Sequence, residues 1–539
     1  MPVIETRIDP RSEGFRANRR AMLALIDEFR ALEQKVRDAS NSKKERFRAR
    51  GQLLPRERVA LLLDRGAPFL EISTLAGCGM HDDDGRDNVL GGALITGIGQ
   101  VAGIRCLIKA SDSAIKGGTI APMGLRKSLR AQEIAMRNKL PVVHLVESGG
   151  ANLLYQAEIF VDGGRGFCNQ ARLSAAGIPQ VTVVHGSSTA GGAYLPGLSD
   201  YVIVVRNQAK IFLAGPPLLK AATGEVASDE ALGGAEMHTT ISGVAEYLAE
   251  DDADGIRQAR AILAKLPWNE SLPPLPRPSY GEPRYPADEL LGIVPTDYRK
   301  PYDVREVIAR LVDESDFLDF KARYGPATVC GHAAIEGHPC GLIGNNGPID
   351  SDGSAKAAQF IQLCCQSGTP IVYLQNTTGY MVGREAEEGG IVKHGSKMIQ
   401  AVANATVPQL TLMIGASFGA GNYGMCGRAY DPRFIFSWPN SRIAVMGGEQ
   451  AARVMSIVTR EKLHRRGQDI DDDALAIMEQ KIIERIDKES TALFATARLW
   501  DDGIIDPRDS RKVLALCLAI CREAEARELR PNTFGVARL

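Results

Sequence analysis

The chain has 539 residues and a formal net charge of −1, and its composition is 44% hydrophobic and 24% charged. A chain of this length exceeds one ordinary hydrophobic core, so two or more domains are expected. The balanced charge provides no field that would attract nucleic acid or an anionic membrane, and no apolar run in the sequence is long enough to span a bilayer.

The N-terminal sequence indicates no targeting segment. Residues 1–20 lack the apolar run of a secretory signal, and acidic residues among the arginines argue against a mitochondrial presequence. The ten cysteines are too sparse for a disulfide scaffold and form no CxxC pair, so we interpret them as reduced and mostly buried. We therefore expect a cytoplasmic protein with no metal site in this chain.

Taken in chain order, the periodic segments alternate between helix and strand. Residues 20–38 predict an amphipathic helix, because charged residues separate apolar ones at helical spacing. Further along, short runs rich in valine and isoleucine alternate with helical segments. The predicted elements there are strand 142–146, helix 165–177, strand 181–184 and helix 190–198. Near-continuous apolar strands separated by helices are typical of buried strands in an α/β domain.

A proline-rich segment divides the chain. Residues 266–301 hold nine of the 28 prolines, a composition that interrupts both helix and strand. The sequence therefore predicts an N-terminal domain over 1–266, a linker over 267–300 and a C-terminal domain over 301–539.

The two halves on either side of this segment are similar. IPQVTVVHGSSTAGGAY (178–194) matches VPQLTLMIGASFGAGNY (407–423) position for position, so that Pro179 corresponds to Pro408. LPVVHLVESGGANL (140–153) matches TPIVYLQNTTGYMV (369–382) at the same offset along the chain. Matches in this order and spacing predict two domains of the same fold, related by internal duplication.

Each copy places glycine and alanine where a strand turns into a helix. Small residues let the backbone approach a ligand closely, and the first N–H groups of the helix then point outward. Such a corner can bind an anion, or an oxygen that becomes anionic during a reaction. The alternative interpretation is tight packing of the helix on the sheet. GASFG (415–419) also fits the GxSxG nucleophile elbow, which leaves a serine hydrolase open.

Several motifs occur together along the chain. They are, in order, ARGQLLPRERVALLLD, IKGGT, VESGGANL, STAGGAYLPGLSD, IFLAGPPLLKAATGE, YLQNTTGYMVG, GIVKHGSKM and GASFGAGNYGMCGRAYDP. Together they resemble the carboxyltransferase (β) subunit of biotin-dependent acyl-CoA carboxylases, over nearly the whole chain. Within that family they look closest to the branch comprising 3-methylcrotonyl-CoA carboxylase and geranyl-CoA carboxylase. The resemblance implies two tandem α/β domains that are crotonase-like, each a β–β–α superhelix.

The resemblance also implies the site. Gly191 and Gly192 would form a backbone amide cradle for the acyl-CoA thioester oxygen, and Ala420 and Gly421 a cradle for the ureido oxygen of biotin. The residues implied near the acyl-CoA are Lys116, Gly117, Gly118, Thr119, Ser148, Gly149, Gly150, Ala151 and Tyr194, and those implied near biotin also include Gly419 and Tyr423. The family places the active site between two subunits of a β-subunit hexamer.

The cofactor and partner follow from the same resemblance. The chain has no MKM-type biotin attachment site and no ATP-binding glycine loop, so a separate α subunit would carry biotin covalently. In the family, carboxybiotin releases CO₂ and the freed nitrogen takes the γ proton of the substrate, so no protein general base is expected. We expect no nucleic-acid or membrane partner.

One stretch of the sequence bears on the length of the acyl chain that the enzyme would accept. In VDGGRGFCNQA (161–171), Gly163, Gly166 and Cys168 stand where methylcrotonyl-CoA carboxylases carry bulkier residues. Three truncations would open on the order of 100 Å³, enough to favour a long geranyl chain, with 3-methylcrotonyl-CoA as the alternative substrate. The competing explanation is that the glycines lengthen a flexible loop. A crotonase-type hydratase or isomerase and a non-catalytic scaffold are the alternatives from other classes.

Overall fold

A computed structural model describes residues 3–81, 89–270, 272, 280–468 and 471–536. The chain forms two compact units, and each unit draws on more than one segment. The N-terminal unit comprises Ala31–Leu275, Ala497–Leu499 and Arg522–Leu539, and the C-terminal unit comprises Met1–Arg30, Pro276–Thr496 and Trp500–Cys521.

The N-terminal unit is built on one mixed sheet. Its strands are β1 (Leu70–Glu71), β2 (Leu94–Val101), β3 (Ile104–Ser111), β4 (Val142–Ser148), β5 (Gln180–Thr189), β6 (Tyr201–Val205), β7 (Lys210–Phe212) and β8 (Tyr247–Ala249). The spatial order is β1-β2-β3-β4-β5-β6-β8, and β7 pairs with the end of β5. The first three strands pair antiparallel, and the strands after β3 are parallel. The predicted strands 142–146 and 181–184 are confirmed as parts of β4 and β5.

The sheet of the C-terminal unit repeats the arrangement of the first seven strands, and its described residues form no strand corresponding to β8. Its strands are β9 (Leu318–Asp319), β10 (Thr328–Ile335), β11 (His338–Asn345), β12 (Ile371–Thr377), β13 (Gln409–Phe418), β14 (Phe434–Ser437) and β15 (Arg442–Ala444). The order is β9-β10-β11-β12-β13-β14, and β15 pairs with the end of β13 as β7 pairs with β5. An antiparallel hairpin again leads into parallel strands.

Helices connect and cover the strands. In the first half of the chain they are α1 (Glu13–Asn41), α2 (Lys44–Ala49), α3 (Pro55–Leu62), α4 (Pro122–Arg137), α5 (Gln156–Ala175), α6 (Tyr194–Gly197), α7 (Pro216–Thr223), α8 (Asp229–Gly233), α9 (Ala235–Thr240) and α10 (Asp252–Lys265). In the second half they are α11 (Leu290–Ile293), α12 (Val304–Ile308), α13 (Ser351–Ser367), α14 (Arg384–Glu388), α15 (Ile391–Ala403), α16 (Gly419–Gly424), α17 (Gly448–Arg465), α18 (Asp472–Glu489), α19 (Ala492–Ala497) and α20 (Ser510–Ala526). The predicted helix 20–38 is confirmed within α1. None of the helices in the described part of the chain is long and apolar enough to cross a membrane.

The register of the two sheets repeats the offset seen in the sequence. Val142 pairs with Gln180 between β4 and β5, and the corresponding residues Ile371 and Gln409 pair between β12 and β13. Both strand pairs also shift register near their ends. The predicted fold, two tandem crotonase-like α/β domains related by internal duplication, is confirmed.

Each sheet has its own hydrophobic core. In the N-terminal unit, Leu62 of α3 and Ile256 of α10 pack with Val143 on the sheet. In the C-terminal unit, Phe360 of α13 and Met398 of α15 pack with residues of β11 and β12. Parallel strands buried by helices are apolar along most of their length, which explains the near-continuous apolar runs in the sequence.

The two ends of the chain do not follow the predicted domain bounds. The segment Met1–Arg30 belongs to the C-terminal unit, where Thr6 Oγ1 donates to Glu306 Oε2 at 2.6 Å. The last segment belongs to the N-terminal unit, where the Arg527 guanidinium lies over the Trp268 ring at 4.6 Å. Local periodicity gives the structure of such a segment but not the core on which it packs.

The predicted linker, residues 267–300, is only partly described. Residues 271 and 273–279 lie outside the described residues. In the remainder, α11 contributes to the core of the C-terminal unit, because Leu290 and Leu291 are fully buried. The prolines interrupt regular structure there, but this part of the segment is packed rather than an open connection.

Candidate active site

The corner at the end of β5 is formed by a single 3₁₀ turn. The turn covers Ala190–Ala193 and leads directly into α6. Gly191 and Gly192 lie in this first turn, where a helix supplies no acceptor for its backbone N–H groups. The Gly192 carbonyl accepts a hydrogen bond from Ser188 Oγ at 3.0 Å, which ties the turn to the strand.

Two loops of the N-terminal unit contact each other beside β4. The Ile120 N–H donates to Gly150 O at 2.8 Å. Gly118 packs directly on the backbone of Glu147, so that a Cβ at position 118 would clash with the Glu147 carbonyl oxygen. The structure therefore brings together the two motifs predicted near the acyl-CoA, Lys116–Thr119 and Ser148–Ala151.

Ser148 joins these loops to the corner. Its Oγ accepts a hydrogen bond from the Gly150 N–H at 3.2 Å, and Ser148 pairs with Ser188 across β4 and β5. A Cβ built on Gly192 would lie 3.6 Å from Ser148 Oγ. The predicted cradle and the predicted loops thus form one continuous surface. The exposed members of this set are Lys116, Gly117, Gly149, Ala151, Gly191 and Tyr194.

Helix α5 also reaches the corner, through a residue that the sequence did not single out. The ring centroids of Phe167 and Tyr194 are 5.7 Å apart, and a Cβ on Gly191 would lie 3.8 Å from Phe167 Cζ. One turn further, Gln170 Nε2 donates to Leu195 O at 2.7 Å. The available signal was the three-residue spacing of Phe167 and Gln170, which places both on one helix face.

The glycine-rich stretch before Phe167 is helical, so the flexible-loop explanation for Gly163 and Gly166 is wrong. The predicted helix 165–177 instead spans Gln156–Ala175. Each glycine lowers helix propensity by about 1 kcal/mol relative to alanine, which obscured this start in the sequence. Tertiary contacts hold the segment nonetheless, as Gln132 Nε2 of α4 donates to Gly166 O at 2.9 Å.

The three small residues of α5 do not share one direction. At about 100° per residue, Gly163 lies about 40° from Phe167, and Gly166 lies about 60° from Gly163. Cys168 lies about 140° from Gly163 by the same count. A Cβ on Gly163 would have no neighbour within 4 Å, and one on Gly166 would meet only Leu129 Cδ2 at 3.9 Å. Gly163 is therefore an open position on the Phe167 side, and it is nearer to Phe167 than Gly166 or Cys168.

The C-terminal unit forms a matching corner at the end of β13. Helix α16 begins there at Gly419, whose φ is 53°. Ala420 and Gly421 lie in its first turn, where their N–H groups again have no acceptor within the helix. Tyr423 stacks on Tyr430 with a centroid distance of 5.8 Å. Of the predicted biotin-side residues, Ala420 and Tyr423 are exposed.

The hydrogen bonds around this corner repeat those of the first. The Gly379 N–H donates to Thr377 Oγ1 at 3.2 Å, and the Ile349 N–H donates to Gly379 O at 2.9 Å. Both bonds have counterparts in the N-terminal unit, at the corresponding residue Gly150. The packing is tighter, however, because a Cβ on Gly421 would lie 2.9 Å from Gly379 Cα.

Ser417, the serine of the GxSxG match, is not placed as a nucleophile. Its side chain is fully buried. Its Oγ donates to Gln375 Oε1 at 2.5 Å and accepts from Asn422 Nδ2 at 2.7 Å. A serine nucleophile needs an exposed hydroxyl and a general base within hydrogen-bond reach, and both partners here are neutral amides. The serine hydrolase alternative is therefore wrong.

A buried group of charged residues adjoins the N-terminal corner. Arg58 Nη1 donates to Glu147 Oε2 at 2.9 Å, and Arg58 Nε donates to Asp252 Oδ2 at 3.0 Å. His185 Nδ1 lies 2.7 Å from Asp252 Oδ1. The side chains of Arg58, His185 and Asp252 are at most 1% exposed. We call Arg58, Glu147, His185 and Asp252 the ionic cluster.

The charges within the ionic cluster follow from its contacts. Burial raises the pKa of Asp252, but the hydrogen bond from His185 and the charge of Arg58 outweigh it, and the pKa lies below its usual value. Burial and the Arg58 charge lower the pKa of His185. Near neutral pH, Asp252 is therefore ionised and His185 neutral, so the Nδ1–H of His185 donates to the carboxylate.

Comparison with known proteins gives one family over most of the chain. Residues 46–536 match the family described as the carboxyl transferase domain. The crystal structure of the P. aeruginosa geranyl-CoA carboxylase β subunit is 63% identical, with all of both chains covered and a TM-score of 0.94.

Curated relatives agree with this match. A probable biotin-dependent acyl-coenzyme A carboxylase β2 subunit of Mycobacterium tuberculosis is 50% identical over 539 residues, covering all of both chains. A probable mitochondrial methylcrotonoyl-CoA carboxylase β chain of Drosophila melanogaster is 48% identical, covering all of this chain and 95% of the relative.

Proposed function

The chain belongs to the carboxyl transferase domain family, and on that premise we propose that it carboxylates the γ-carbon of geranyl-CoA. It is the carboxyltransferase (β) subunit of a biotin-dependent acyl-CoA carboxylase of the geranyl-CoA and methylcrotonyl-CoA type. The observation that carries the proposal is the convergence of Gly191 and Gly192, the two loops and Phe167 on one surface of the N-terminal unit.

The N-terminal corner would act on the thioester. Loss of a γ proton from a β-methyl-α,β-unsaturated thioester leaves a dienolate with its charge on the thioester oxygen. The N–H groups of Gly191 and Gly192 would donate to that oxygen, and one such donor contributes roughly 3 kcal/mol to transition-state stabilisation in other enzymes. The exposed residues of the two loops, Lys116, Gly117, Gly149 and Ala151, would hold the CoA moiety.

The C-terminal corner suits biotin. The ureido oxygen is a hydrogen-bond acceptor, and the first turn of α16 offers the N–H donors of Ala420 and Gly421, with the exposed ring of Tyr423 nearby. Carboxylated biotin on a partner subunit would supply CO₂, and the nitrogen freed by its release would accept the γ proton of the substrate. The residues of this chain would orient the ureido ring, and no protein general base is required.

Acyl-chain choice would depend on α5. Position 163 has no neighbour within 4 Å of a Cβ and lies on the Phe167 side of the helix. A geranyl chain has five carbons more than a 3-methylcrotonyl group, and each buried CH₂ is worth about 0.8 kcal/mol. Gly163 would leave room for those carbons, whereas Gly166 and Cys168 each lie about 100° from Phe167 and support the pocket less.

3-Methylcrotonyl-CoA is the second candidate substrate. It is supported by the 48% identity to the probable methylcrotonoyl-CoA carboxylase β chain of Drosophila melanogaster. A crotonase-type hydratase or isomerase would share the fold but needs a carboxylate base beside the substrate. Incubating this chain alone with either enoyl-CoA would reveal water addition if that alternative held.

We also propose the assembly. The β subunit would form a homo-hexamer that binds a biotin-carrying α subunit in the cytoplasm, with the two cradles of each active site supplied by different β subunits. Large apolar side chains support a protein interface near α5, since Leu153, Leu154 and Phe160 are each about 80% exposed. Light scattering of the purified subunit would test the hexamer, and a monomer at micromolar concentration would contradict it.

The deciding experiment is carboxylation by the reconstituted complex. The β subunit and its biotinylated α subunit are supplied with ATP, bicarbonate and either geranyl-CoA or 3-methylcrotonyl-CoA. A kcat/KM that is at least tenfold higher for geranyl-CoA supports the proposal. A preference for the five-carbon substrate would assign the second candidate, and carboxylation of neither would reject both.

A further inference from the structure

Glu147 of the ionic cluster contacts the Lys116–Thr119 loop and strand β5 beside the N-terminal corner. Its carbonyl oxygen abuts Gly118, and its side chain abuts Gly186, where a Cβ would lie 2.7 Å from Glu147 Cγ. Its carboxylate accepts the hydrogen bond from Arg58, and Ser148 follows it directly in the chain. The position of this one residue therefore determines how the loops and the strand end are spaced.

The equivalent position in the C-terminal unit is neutral. Asn376 corresponds to Glu147 in the internal repeat and packs in the same way on Gly415. Its Oδ1 accepts a hydrogen bond from the Ala416 N–H at 3.1 Å. The shared fold therefore does not require a charged residue at this position.

Arg58 in turn is held on both sides. Asp252 accepts from Arg58 Nε at 3.0 Å and from the Leu53 N–H at 2.7 Å, and His185 binds the other carboxylate oxygen. Asp252 of α10, which is itself held by His185 of β5, therefore fixes Arg58 in the position from which it pairs with Glu147. A buried guanidinium that is paired with two carboxylates in this way holds each partner in one geometry.

We propose that Arg58 and Glu147 are positioning residues for the acyl-CoA side of the reaction. Their ion pair sets the distance between the loops Lys116–Thr119 and Ser148–Ala151 and the N–H groups of Gly191 and Gly192. The inference rests on the proposed function, because it assigns those loops to the acyl-CoA. Neither residue contacts the reacting atoms.

The first test is Glu147→Gln in the reconstituted complex. The amide keeps the size of the side chain but loses the charge that Arg58 holds, while Arg58 retains Asp252 as its counterion. KM for the acyl-CoA should rise about 10- to 100-fold, as expected for a small misplacement of binding groups. KM for free biotin, measured in the reverse transfer from carboxylated acyl-CoA, should change less than twofold.

A merely structural role would give a different result. Partial unfolding lowers kcat for both substrates together and leaves both KM values unchanged. Glu306→Gln is the matched control, since Glu306 is also nearly buried and pairs with Arg310 at 3.0 Å in the C-terminal unit. It should lower thermal stability without changing KM for the acyl-CoA. An equal KM change in both variants would overturn the proposal.

A second variant, Glu147→Asn, distinguishes a loss of stability from a loss of positioning. The C-terminal unit shows that asparagine fits this place in the fold, so this variant should unfold close to the wild-type temperature. Its KM for the acyl-CoA should nevertheless remain raised, and a wild-type KM would refute the inference. If the wild-type complex carboxylates neither substrate, the proposed function fails, and the Kd of CoA measured by calorimetry on the same variants then decides the inference.

Discussion

Gly192 faces Ser148 across a gap that one methyl group would fill. A Cβ on Gly192 would lie 3.6 Å from Ser148 Oγ and 3.7 Å from Ser148 Cβ, which is ordinary van der Waals contact. The chain itself can therefore accept alanine at position 192. The gap lies between the corner and the loop proposed to hold the acyl-CoA, so the cost of the methyl group should fall on the substrate.

Gly192→Ala keeps its backbone N–H, but its methyl group should shift the bound thioester by about 1 Å and reduce kcat up to about 100-fold. Thermal unfolding should be unchanged within about 2 °C. The contrasting variant is Gly421→Ala, where the Cβ would lie 2.9 Å from both Gly379 Cα and Thr377 Cγ2 and should lower the unfolding temperature. Full activity of Gly192→Ala would contradict the cradle assignment.

Gly163→Phe should change substrate preference rather than stability. The position is open, so the ring can be accommodated, but it would occupy the space proposed for the distal carbons of geranyl-CoA. We expect kcat/KM for geranyl-CoA to fall 10- to 100-fold, while that for 3-methylcrotonyl-CoA stays within about threefold, consistent with a few buried methylene groups.

Arg165→Phe is the control for this change. Arg165 is exposed and points about 160° away from both Gly163 and Phe167 around α5. It should leave both substrates unaffected. Equal losses on both substrates in Gly163→Phe would count against the pocket.

Asp501 should make stability depend on pH between about 4 and 6. Burial raises its pKa to about 6, although the carboxylate accepts hydrogen bonds from Ser437 Oγ at 2.6 Å and the Gly503 N–H at 3.0 Å. The folded state therefore binds more protons than the unfolded state in this window, and its stability falls as pH rises.

Asp501→Asn should remove that dependence. At pH 7 the variant should be more stable than the wild type by up to about 3 kcal/mol, the equivalent of a two-unit shift. The advantage should vanish near pH 4, as measured by chemical denaturation at both pH values. A constant difference across the range would show that Asp501 does not titrate there.

Lys109 should make the stability of the fold depend on pH in the alkaline range. Burial lowers its pKa to about 8, so the unfolded state binds more protons between pH 8 and 10.5, and stability rises with pH. Lys109 pairs with His144, and the corresponding pair in the C-terminal unit is Ile343 with Tyr373, so an apolar residue fits this position.

Lys109→Met should therefore stabilise the fold at pH 7, by up to about 3 kcal/mol. Denaturation curves at pH 7 and pH 10 should show the difference shrinking as the wild-type lysine loses its charge. Lys321→Met, at an exposed lysine, is the control and should show no such pH dependence. Loss of stability in Lys109→Met at pH 7 would contradict the prediction.

The sequence was sufficient to predict the twin corners, because strand periodicity and the repeated glycines are local signals. It did not reveal the ionic cluster, since Arg58 and Asp252 are 194 positions apart and meet only when α3 and α10 pack on the same sheet. Phe167 lies within the predicted helix 165–177 but was missed for a related reason, because its contact with Tyr194 of α6 forms only in the folded unit. The terminal segments were assigned to the wrong halves because packing partners leave no trace in local periodicity.

The unoccupied volume above position 163 has a consequence for how such subunits diversify. Because a Cβ there meets no atom within 4 Å, one substitution at this position should change the acyl length that the proposed pocket prefers, with little penalty to folding. Substrate preference could then differ between subunits whose sequences are otherwise nearly the same.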